Sequence, residues 1–530
     1  MNIVICDPIS PKGIEYFKSQ PAFNVNVLPK PPGKEELLEL AKTASAMVVR
    51  SETKITREVI ESAPALRVVG RAGVGVDNVD VEAATANGVV VMNTPSGNTI
   101  STAELTFSML MALARKIPQA HGSMKAGEWN RKAFKGTEIC AKTLGILGMG
   151  RIGAEVAKRA QAFGMKVVAY DPYLAHARAK ALGVQLCEKL EELYPLCDFI
   201  TVHMPLTDET RNMINGAAFA QMKKGIRVLN CARGGIVDEN ALIEAIENGQ
   251  CAGAGLDVYE SEPLPADHKL RTLDQVIMTP HLGASTAEAQ DNCGIEVAEL
   301  ITDYLQNSVV RTAINMPSLD AKTYEAVKPY LMLGEKLGRL LAQLAPNRND
   351  RIVISFGGKA AEIPNDPVVR YVLKSFLENA GGKDVNLVNV LSLAESLGIQ
   401  IDAVTSNEDV DFNEWLHVAV HSGDSKVSAG GTIFGKSSQP RIVRLNGQPV
   451  EILPEGIVFL MNNKDRPGIV GQIGSLMSSH HVNIANMTLA RDCAGGQALT
   501  VLNVDSVPPA TALAEIENDP DISNVRIVKF

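Results

Sequence analysis

Three polar side chains in the middle of the chain, Arg233, Glu262 and His281, each lie just beyond an apolar, strand-like run. An ordinary histidine has a pKa suited to taking up a proton near neutral pH, and a paired carboxylate orients its ring and stabilises the imidazolium. An arginine can hold a carboxylate or a keto oxygen through two hydrogen bonds. Together these groups could oxidise a 2-hydroxy acid, provided that a hydride acceptor binds beside them. Each residue alone also has a simpler interpretation: Arg233 as a surface cap, Glu262 as a solvated carboxylate and His281 as an interior histidine.

A glycine-rich turn predicts where that hydride acceptor binds. The chain runs from a strand through Gly148, Gly150 and Gly153 into a helix, and the next strand ends at Asp171. The first glycine permits a tight turn, the second lets a pyrophosphate approach the backbone, and the third lets the helix pack closely on the strand. Free N–H groups at the helix start attract phosphate. We therefore expect NAD rather than NADP, because Asp171 would repel a 2′-phosphate; a purely structural glycine turn is the alternative.

Alternating strand and helix patterns must position these groups. Between about 140 and 280 the alternation predicts a doubly wound sheet, whose ligands bind beyond the carboxyl ends of the strands. A smaller α/β alternation occupies the first hundred residues, and a helical pattern at 285–306 would return the chain to it. We therefore predict a substrate domain of residues 1–97 and 290–316. A nucleotide-binding domain of residues 98–289 would be inserted in it, with a cleft between the two.

Composition disfavours several classes of function. The chain has 530 residues, too many for one core, so three or more domains are expected. Its net charge of −9 disfavours nucleic-acid and membrane partners, so an anionic substrate would need local clusters of arginine and lysine. The N-terminus does not read as a signal peptide, and no apolar run reaches membrane-spanning length. The eight cysteines are scattered without a CxxC pair, which indicates reduced thiols and a cytoplasmic location; no metal site is predicted.

The second half of the chain carries no visible catalytic motif. Residues 317–452 begin with a helical pattern at 324–344 and contain strand-like runs, with a loop-like segment at 430–432. Residues 453–530 read as strand, helix, strand, strand, helix, strand, which predicts a small βαββαβ module.

The motifs around the three polar side chains resemble those of the D-isomer-specific 2-hydroxyacid dehydrogenases. They are the glycine turn and the segments 230–238, 256–263 and 279–286, and the resemblance covers the chain before residue 317. It implies a flavodoxin-like substrate domain with an inserted Rossmann domain, and catalytic roles for Arg233, Glu262 and His281. It also implies NAD contacts at Val74, Gly148, Gly150, Arg151, Ile152, Gly153, Asp171, Met204, Cys231, Ala232, Arg233, Asp257, His281, Leu282, Gly283 and Ala284.

The segments 71–80 and 129–134 resemble the phosphoglycerate dehydrogenase branch of that family. This resemblance implies oxidation of D-3-phosphoglycerate to 3-phosphohydroxypyruvate, the entry to serine biosynthesis. The phosphate and carboxylate of that substrate need positive charge. The expected substrate contacts are Arg50, Arg71, Gly73, Asn98, Arg131 and Lys132. Because relatives deliver the segment that holds Arg131 and Lys132 across a dimer interface, we expect a homodimer or homotetramer.

The C-terminal module resembles an ACT regulatory domain in its segments 465–471 and 482–487. By analogy Asp465 would bind the α-ammonium of an amino-acid effector, and Asn483 its carboxylate or side chain. Some serine-inhibited relatives carry a tyrosine where this chain has Asn463, which leaves inhibition by L-serine open; a purely oligomerising module is the alternative. Residues 317–452 resemble an α/β intervening domain that assists assembly or binds an anionic effector, with Lys436 and Arg441 as basic candidates.

Two other functions remain open from the sequence. One is another D-2-hydroxyacid dehydrogenase, such as a glyoxylate or hydroxypyruvate reductase. The other is a non-catalytic NAD sensor like the corepressors built on the same scaffold. The regulatory tail argues against both, although Arg233, Glu262 and His281 alone exclude neither.

Overall fold

The computed structural model describes residues 1–307, 309–317, 319, 321–346, 348–378, 385–406, 412–435 and 438–530. In these residues the chain forms four β-sheets, each with its own set of helices. No helix among them is long and apolar enough to cross a membrane.

The first sheet is parallel and has the strand order β2-β1-β3-β4-β5, the flavodoxin-like order. Its strands are β1 (Asn2–Ile5), β2 (Asn24–Val27), β3 (Ala46–Val49), β4 (Val68–Arg71) and β5 (Val90–Asn93). Its helices are α1 (Pro11–Lys18), α2 (Lys34–Ala41), α3 (Arg57–Glu61) and α4 (Val81–Ala86). The edge strand β2 alternates exposed asparagines with half-buried valines, so its apolar signal is weak, and sequence analysis does not predict it.

The second sheet has seven parallel strands in the order β12-β11-β10-β9-β6-β7-β8, a Rossmann order extended by one strand. The helices α5 (Thr99–Arg115) and α6 (Ile117–Lys125) lead into it. Its strands are β6 (Thr143–Leu147), β7 (Lys166–Tyr170), β8 (Gln185–Leu186), β9 (Phe199–Val202), β10 (Ile226–Asn230), β11 (Cys251–Leu256) and β12 (Val276–Met278). Its helices are α7 (Arg151–Ala162), α8 (His176–Ala181), α9 (Leu190–Leu193), α10 (Gly216–Gln221) and α11 (Glu239–Glu247).

Helix α12 (Ala287–Asn307) carries the chain back to the first sheet. It packs on α1 so closely that a Cβ added at Gly13 would lie 2.3 Å from the carbonyl oxygen of Gly294. Asp291 of α12 also accepts a 2.7 Å hydrogen bond from Lys12. Beyond the helix, the backbone N–H of Ile314 donates to the β5 carbonyl of Val91 at 2.8 Å. The seven-stranded sheet thus lies between two parts of the chain that build the first lobe, and the exact domain boundaries stay a prediction.

The third sheet has six strands in the order β14-β13-β15-β16-β17-β18, with β13 and β14 parallel and the other neighbours antiparallel. Its strands are β13 (Arg351–Gly358), β14 (Gln400–Ser406), β15 (Glu414–Ser422), β16 (Ser425–Phe434), β17 (Gln439–Leu445) and β18 (Gln448–Ile452). Its helices are α13 (Ala321–Leu344), α14 (Asn365–Leu377) and α15 (Val390–Ser396).

The expectation of a loop at residues 430–432 is wrong, because all three lie inside strand β16. The glycines serve close packing there. A Cβ added at Gly431 would lie 2.6 Å from Leu333 of α13, and the β16–β17 register shifts between Gly430 and Gly431. Glycine in a strand therefore marks a bulge and a close approach here, not a loop.

The fourth sheet is antiparallel with the order β20-β21-β19-β22 and forms the predicted βαββαβ module. Its elements are β19 (Ile457–Lys464), α16 (Ile469–Ser479), β20 (Ile484–Arg491), β21 (Gln497–Val504), α17 (Ala510–Glu517) and β22 (Ile522–Lys529). Phe459 and Met461 of β19 pack under its own helices, whereas Val458 and Leu460 belong to the core of the third sheet. The intervening and ACT-like regions therefore share one hydrophobic core.

The shared core predicts that Leu460→Ala destabilises both C-terminal regions together. Leu460 is buried, so its truncation should lower the free energy of unfolding by about 2–5 kcal/mol. Leu397→Ala, at an exposed leucine, is the control and should change little. Thermal unfolding followed by calorimetry measures both variants. If Leu460→Ala separates an ACT-region transition from an unchanged intervening-region transition, the two cores are independent.

Candidate active site

His281 and Glu262 form a hydrogen-bonded pair. Nδ1 of His281 lies 2.7 Å from Oε2 of Glu262, whose Oε1 accepts a 3.0 Å bond from the N–H of Tyr259. Because Nδ1 donates to the carboxylate, Nε2 is left to take up a proton. Burial works to raise the pKa of Glu262, but the bond and charge of His281, the Tyr259 N–H and the charge of Arg233 together hold it below its usual value. The carboxylate thus stays ionised beside the imidazole.

Asp257 fixes the loop that carries His281. Its carboxylate is buried and accepts hydrogen bonds from the Thr279 hydroxyl at 2.6 Å and from the N–H groups of Leu282 at 2.7 Å and Gly283 at 2.9 Å. His281 itself has a left-handed φ of +55°, unusual for a residue other than glycine. Its N–H donates to the Asp257 carbonyl at 2.9 Å. Burial raises the pKa of Asp257, although these bonds oppose the shift.

Arg233 lies in a turn shaped by Asn230 at the end of β10. The Asn230 side chain donates to the Arg233 carbonyl at 2.8 Å and accepts from the Ala232 N–H at 3.0 Å. The guanidinium of Arg233 donates from Nη1 to the Ala232 carbonyl at 2.6 Å and from Nε to Asp77 at 3.0 Å. Since Asp77 follows β4 of the first sheet, this ion pair spans the cleft between the lobes.

The glycine turn has the three features that its spacing predicts. Gly148 has a left-handed φ of +94°, and a Cβ on Gly153 would lie 2.1 Å from the Gly148 carbonyl oxygen. A Cβ on Gly150 would meet nothing within 4 Å, so the backbone here is open to a ligand. Asp171 accepts from the N–H of Met149 at 2.8 Å and therefore also holds the turn. An open backbone at the start of α7 fits the pyrophosphate of NAD.

The other residues expected at the cofactor are distributed over the glycine turn, the end of β10, the Asp257 loop and, for Val74, the first lobe. Arg151 and Ile152 form the first turn of α7, and Met204 packs against Gly148. Cys231 is turned into the core beside Met109, and burial raises its pKa to about 12, so only its backbone can face a ligand. Leu282 and Gly283 belong to the Asp257 loop. Ala284 lines a small cavity with Arg50, and the Val74 carbonyl accepts from Asn93 at 2.6 Å.

Arg71 and its neighbours supply positive charge on the first-lobe side. Arg71 ends β4 and is largely buried, and its pKa is lowered to about 10, first by burial and then by the charge of Arg233. Its guanidinium folds over Gly73, where a Cβ would lie 1.7 Å from Nη1. Among the described residues, Nε of Arg71 and Oδ1 of Asn98 are buried without a hydrogen-bond partner.

The loop that holds Arg50 depends on residues that sequence analysis does not single out. Asp7 accepts from the Arg50 N–H at 2.6 Å, and Asn78 donates to the carbonyls of Arg50 at 2.9 Å and Thr53 at 2.6 Å. Asp7 lies two residues after the end of β1, and Arg50 directly follows β3, so the position of Asp7 beyond a strand end is the signal that could have identified it.

Two expected substrate contacts are not brought to this site. Arg131 and Lys132 are exposed in the segment that follows α6, and within the described part of the chain neither makes a hydrogen bond or ion pair. Their substrate role would require delivery to another copy of the chain, and it stays a prediction.

Asp465 and Asn483 are likewise apart within one chain. Asp465 accepts from the Gly495 N–H at 3.0 Å, near the start of β21, whereas Asn483 donates to Asp505 at 2.7 Å, just beyond its end. Asn463 is buried and accepts from the Thr500 hydroxyl at 2.7 Å. Lys436 lies outside the described residues, and Arg441 donates to the neighbouring Pro440 carbonyl at 2.9 Å. Within one chain, the two side chains therefore contact residues near opposite ends of β21.

Comparisons with known proteins identify three regions of the chain. Residues 107–283 match the NAD binding domain of the D-isomer specific 2-hydroxyacid dehydrogenases. Residues 326–446 match the D-3-phosphoglycerate dehydrogenase intervening domain, and residues 457–521 match the ACT domain. The fold class and the resemblances inferred from the motifs are thereby confirmed.

Relatives that align with most of the chain point to the same family as these three domain matches. The chain is 42% identical to the D-3-phosphoglycerate dehydrogenase of Methanocaldococcus jannaschii over 94% of both chains, and 46% identical to that of Homo sapiens over 78% of both. Among solved structures, it resembles the TT0316 protein of Thermus thermophilus, with 33% identity and a TM-score of 0.55 over 59% of this chain and all of that one. It also resembles the NAD-dependent formate dehydrogenase of Staphylococcus aureus in complex with NAD, with 30% identity and a TM-score of 0.54 over 60% of this chain and all of that one.

The two-lobed fold and its NAD-binding domain place the protein in the class of D-isomer-specific 2-hydroxyacid dehydrogenases. Within that class, the chain belongs to the D-3-phosphoglycerate dehydrogenase family.

The contacts of Asp171 predict the effect of Asp171→Ala on cofactor choice. The variant should bind NAD more weakly and discriminate less against NADP, since it loses both a ribose acceptor and the hydrogen bond to Met149. Steady-state kcat/KM values with NAD and NADP measure this preference. An unchanged ratio of the two would assign the preference to another residue.

Proposed function

We propose that the protein oxidises D-3-phosphoglycerate to 3-phosphohydroxypyruvate with NAD as the acceptor. The observation that carries the proposal is the His281–Glu262 pair at 2.7 Å in a cleft that also holds Arg233 and Arg71. Relatives that bear the name of this enzyme and align with 94% or more of the length of this chain support the proposal. The proposed catalytic residues are Arg233, Glu262 and His281.

In this mechanism the protein handles one proton and two anionic groups. Nε2 of His281 takes the proton from the substrate 2-hydroxyl, and the carboxylate of Glu262 stabilises the imidazolium that results. Arg233 holds the substrate carboxylate through paired hydrogen bonds, so that the 2-hydroxyl faces His281. Bound NAD supplies the hydride acceptor, and Gly150 with the start of α7 would hold its pyrophosphate.

The remaining charge of the cleft matches the phosphate of this substrate. Arg71 is largely buried, and the charge of Arg233 lies close enough to lower its pKa further, so an anionic phosphate beside the two guanidinium groups would offset their repulsion. Arg50 enters the same region from the end of β3. A substrate without a phosphate, such as glycerate or lactate, would leave these groups unmatched.

The two alternatives are less well supported. A glyoxylate or hydroxypyruvate reductase needs neither the intervening domain nor the ACT domain that this chain carries. An NAD-sensing corepressor needs no proton acceptor, yet His281 and Glu262 are paired. NADH production from 3-phosphoglycerate, measured beside lactate and glycerate, separates the three functions: preference for either other acid supports the first alternative, and no turnover supports the second.

We also propose that the protein is a homodimer or homotetramer and that the ACT region binds an amino-acid effector such as L-serine. Asp465 and Asn483 lie near opposite ends of β21, so two ACT regions joined at their edges would bring one of each together. Arg131 and Lys132 would contact substrate across the dimer interface. Sizing by light scattering tests the proposed oligomeric state.

The proposed proton transfer predicts the behaviour of His281→Ala. The variant should lose about 10²- to 10⁴-fold in kcat, the usual loss for a general base, and should bind NAD with nearly normal affinity. His176→Ala is a matched control, because His176 also pairs with a glutamate, Glu188 at 3.1 Å, but on an exposed helix. Stopped-flow or steady-state NADH absorbance gives kcat, and near-normal turnover of His281→Ala would refute the role.

Removing the chain after Met316 should leave an active dehydrogenase without amino-acid regulation. The residues of the proposed site all precede this point, and helix α12, which returns the chain to the first lobe, is retained. A tetramer should become a dimer, because the ACT edges would be gone. Light scattering and activity at rising L-serine test both parts. A folded but inactive truncated protein would show that the C-terminal regions contribute to catalysis.

A further inference from the structure

Asp77 contacts the proposed carboxylate-binding arginine but has no part in the mechanism above. It lies in the loop after β4, and its Oδ2 accepts a 3.0 Å bond from Nε of Arg233 across the cleft. The side chain of Asp77 is 71% exposed, whereas that of Arg233 is 25% exposed. The two partners of this ion pair are therefore unequally held.

Arg233 is fixed by contacts that do not involve Asp77. Its Nη1 donates to the Ala232 carbonyl at 2.6 Å, within a turn that Asn230 shapes. Its Nη2 lies against Gly75, where a Cβ would come within 1.6 Å of that nitrogen. If the pair opens, Asp77 can turn into water, while the guanidinium stays in place. The carboxylate is thus the exchangeable partner.

The cleft also needs an anion at this position. Burial and then the positive charge of Arg233 lower the pKa of Arg71, which shows that the two guanidinium groups lie close together. The negative charge of Asp77 raises that pKa. Two guanidinium groups in a partly desolvated cleft repel unless a negative group lies beside them. A substrate carboxylate carries the same charge and the same planar pair of oxygens as the Asp77 side chain.

We propose that Asp77 is an internal substitute for the substrate carboxylate: it pairs with Arg233 in the unliganded cleft and is displaced when substrate binds. Because its other contacts hold Arg233 in place, Asp77 acts only by competing with the substrate for the guanidinium, and so sets the apparent affinity for the substrate. This inference rests on the carboxylate-binding role of Arg233 in the proposed function.

Asp77→Asn in the full-length protein tests the displacement. The variant keeps the size of the side chain and removes its charge, so substrate no longer competes with an ion pair. We expect KM for 3-phosphoglycerate to fall about two- to fivefold, the range of an exposed ion pair, while kcat and NAD affinity stay within about twofold. The difference from wild type should shrink at high salt, because exposed ion pairs are screened.

Glu82→Gln is the matched control. Glu82 is a 91% exposed carboxylate in α4, near the same loop, and its ion-pair partner is Arg57 rather than Arg233. Its KM should equal that of the wild type. An unchanged or raised KM in Asp77→Asn, or a fall in kcat with it, would overturn the proposal and assign Asp77 a structural role.

A second measurement separates this inference from the proposed function. If the wild-type protein makes no NADH from 3-phosphoglycerate, the proposed function fails, but Arg233 can still bind a 2-keto acid. Glyoxylate titrated into the protein–NADH complex, followed by NADH fluorescence, then reports the site directly. Tighter glyoxylate binding by Asp77→Asn than by wild type supports the displacement, and equal or weaker binding overturns it.

Discussion

The candidate site depends on two parallel sheets that turn the carboxyl ends of their strands toward one cleft. Arg71 ends β4 of the first sheet, and Arg233 follows β10 of the second. The cleft between the two sheets thus receives a guanidinium group from each of them. The helix α12 returns to the first lobe and packs on α1, which ties the lobes into one two-part body. The opposed strand ends are therefore the constraint from which the chemistry follows.

Within that frame, one buried carboxylate does much of the local positioning. Asp257 uses both oxygens to hold the loop of residues 279–283, and this loop presents His281 in a left-handed conformation. A carboxylate without such partners would be costly to bury, so the loop and Asp257 stabilise each other. The same arrangement recurs at Asp7, which holds the Arg50 loop, and at Asp171, which holds the glycine turn. Acidic side chains at strand ends thus shape the loops that carry cations and ligands.

Sequence reasoning predicted the parts of this site that have strong local signals. The spacing of Gly148, Gly150 and Gly153 predicted the nucleotide-binding turn. The motifs around Arg233, Glu262 and His281 predicted that these side chains follow strands at one edge of a sheet, and the 2.7 Å distance between Glu262 and His281 agrees with that prediction. It did not predict Asp77, Asn78 or the edge strand β2, since their roles depend on partners remote in sequence or on weak apolar patterns. Residues 430–432 were wrongly expected to form a loop, because glycines required by the approach of Leu333 look the same in sequence as glycines of a turn.

The C-terminal half adds a constraint that sequence patterns do not reveal. The sheet of the ACT region buries one face against its own helices and the other in the core of the intervening region, so neither face is free. Gln343 of α13 further pairs with the backbone of Lys529 on the edge strand β22, at 2.9 and 3.0 Å. The intervening region in turn contacts the first lobe, where Asn386 donates to the Gly88 carbonyl at 3.2 Å and Val388 enters the lobe's core. The ACT sheet, the intervening core and residues 386–388 therefore form a continuous series of contacts that reaches the lobe carrying Arg50 and Arg71. Packed side chains that are remote in sequence, rather than any local motif, thus connect the tail to the first lobe.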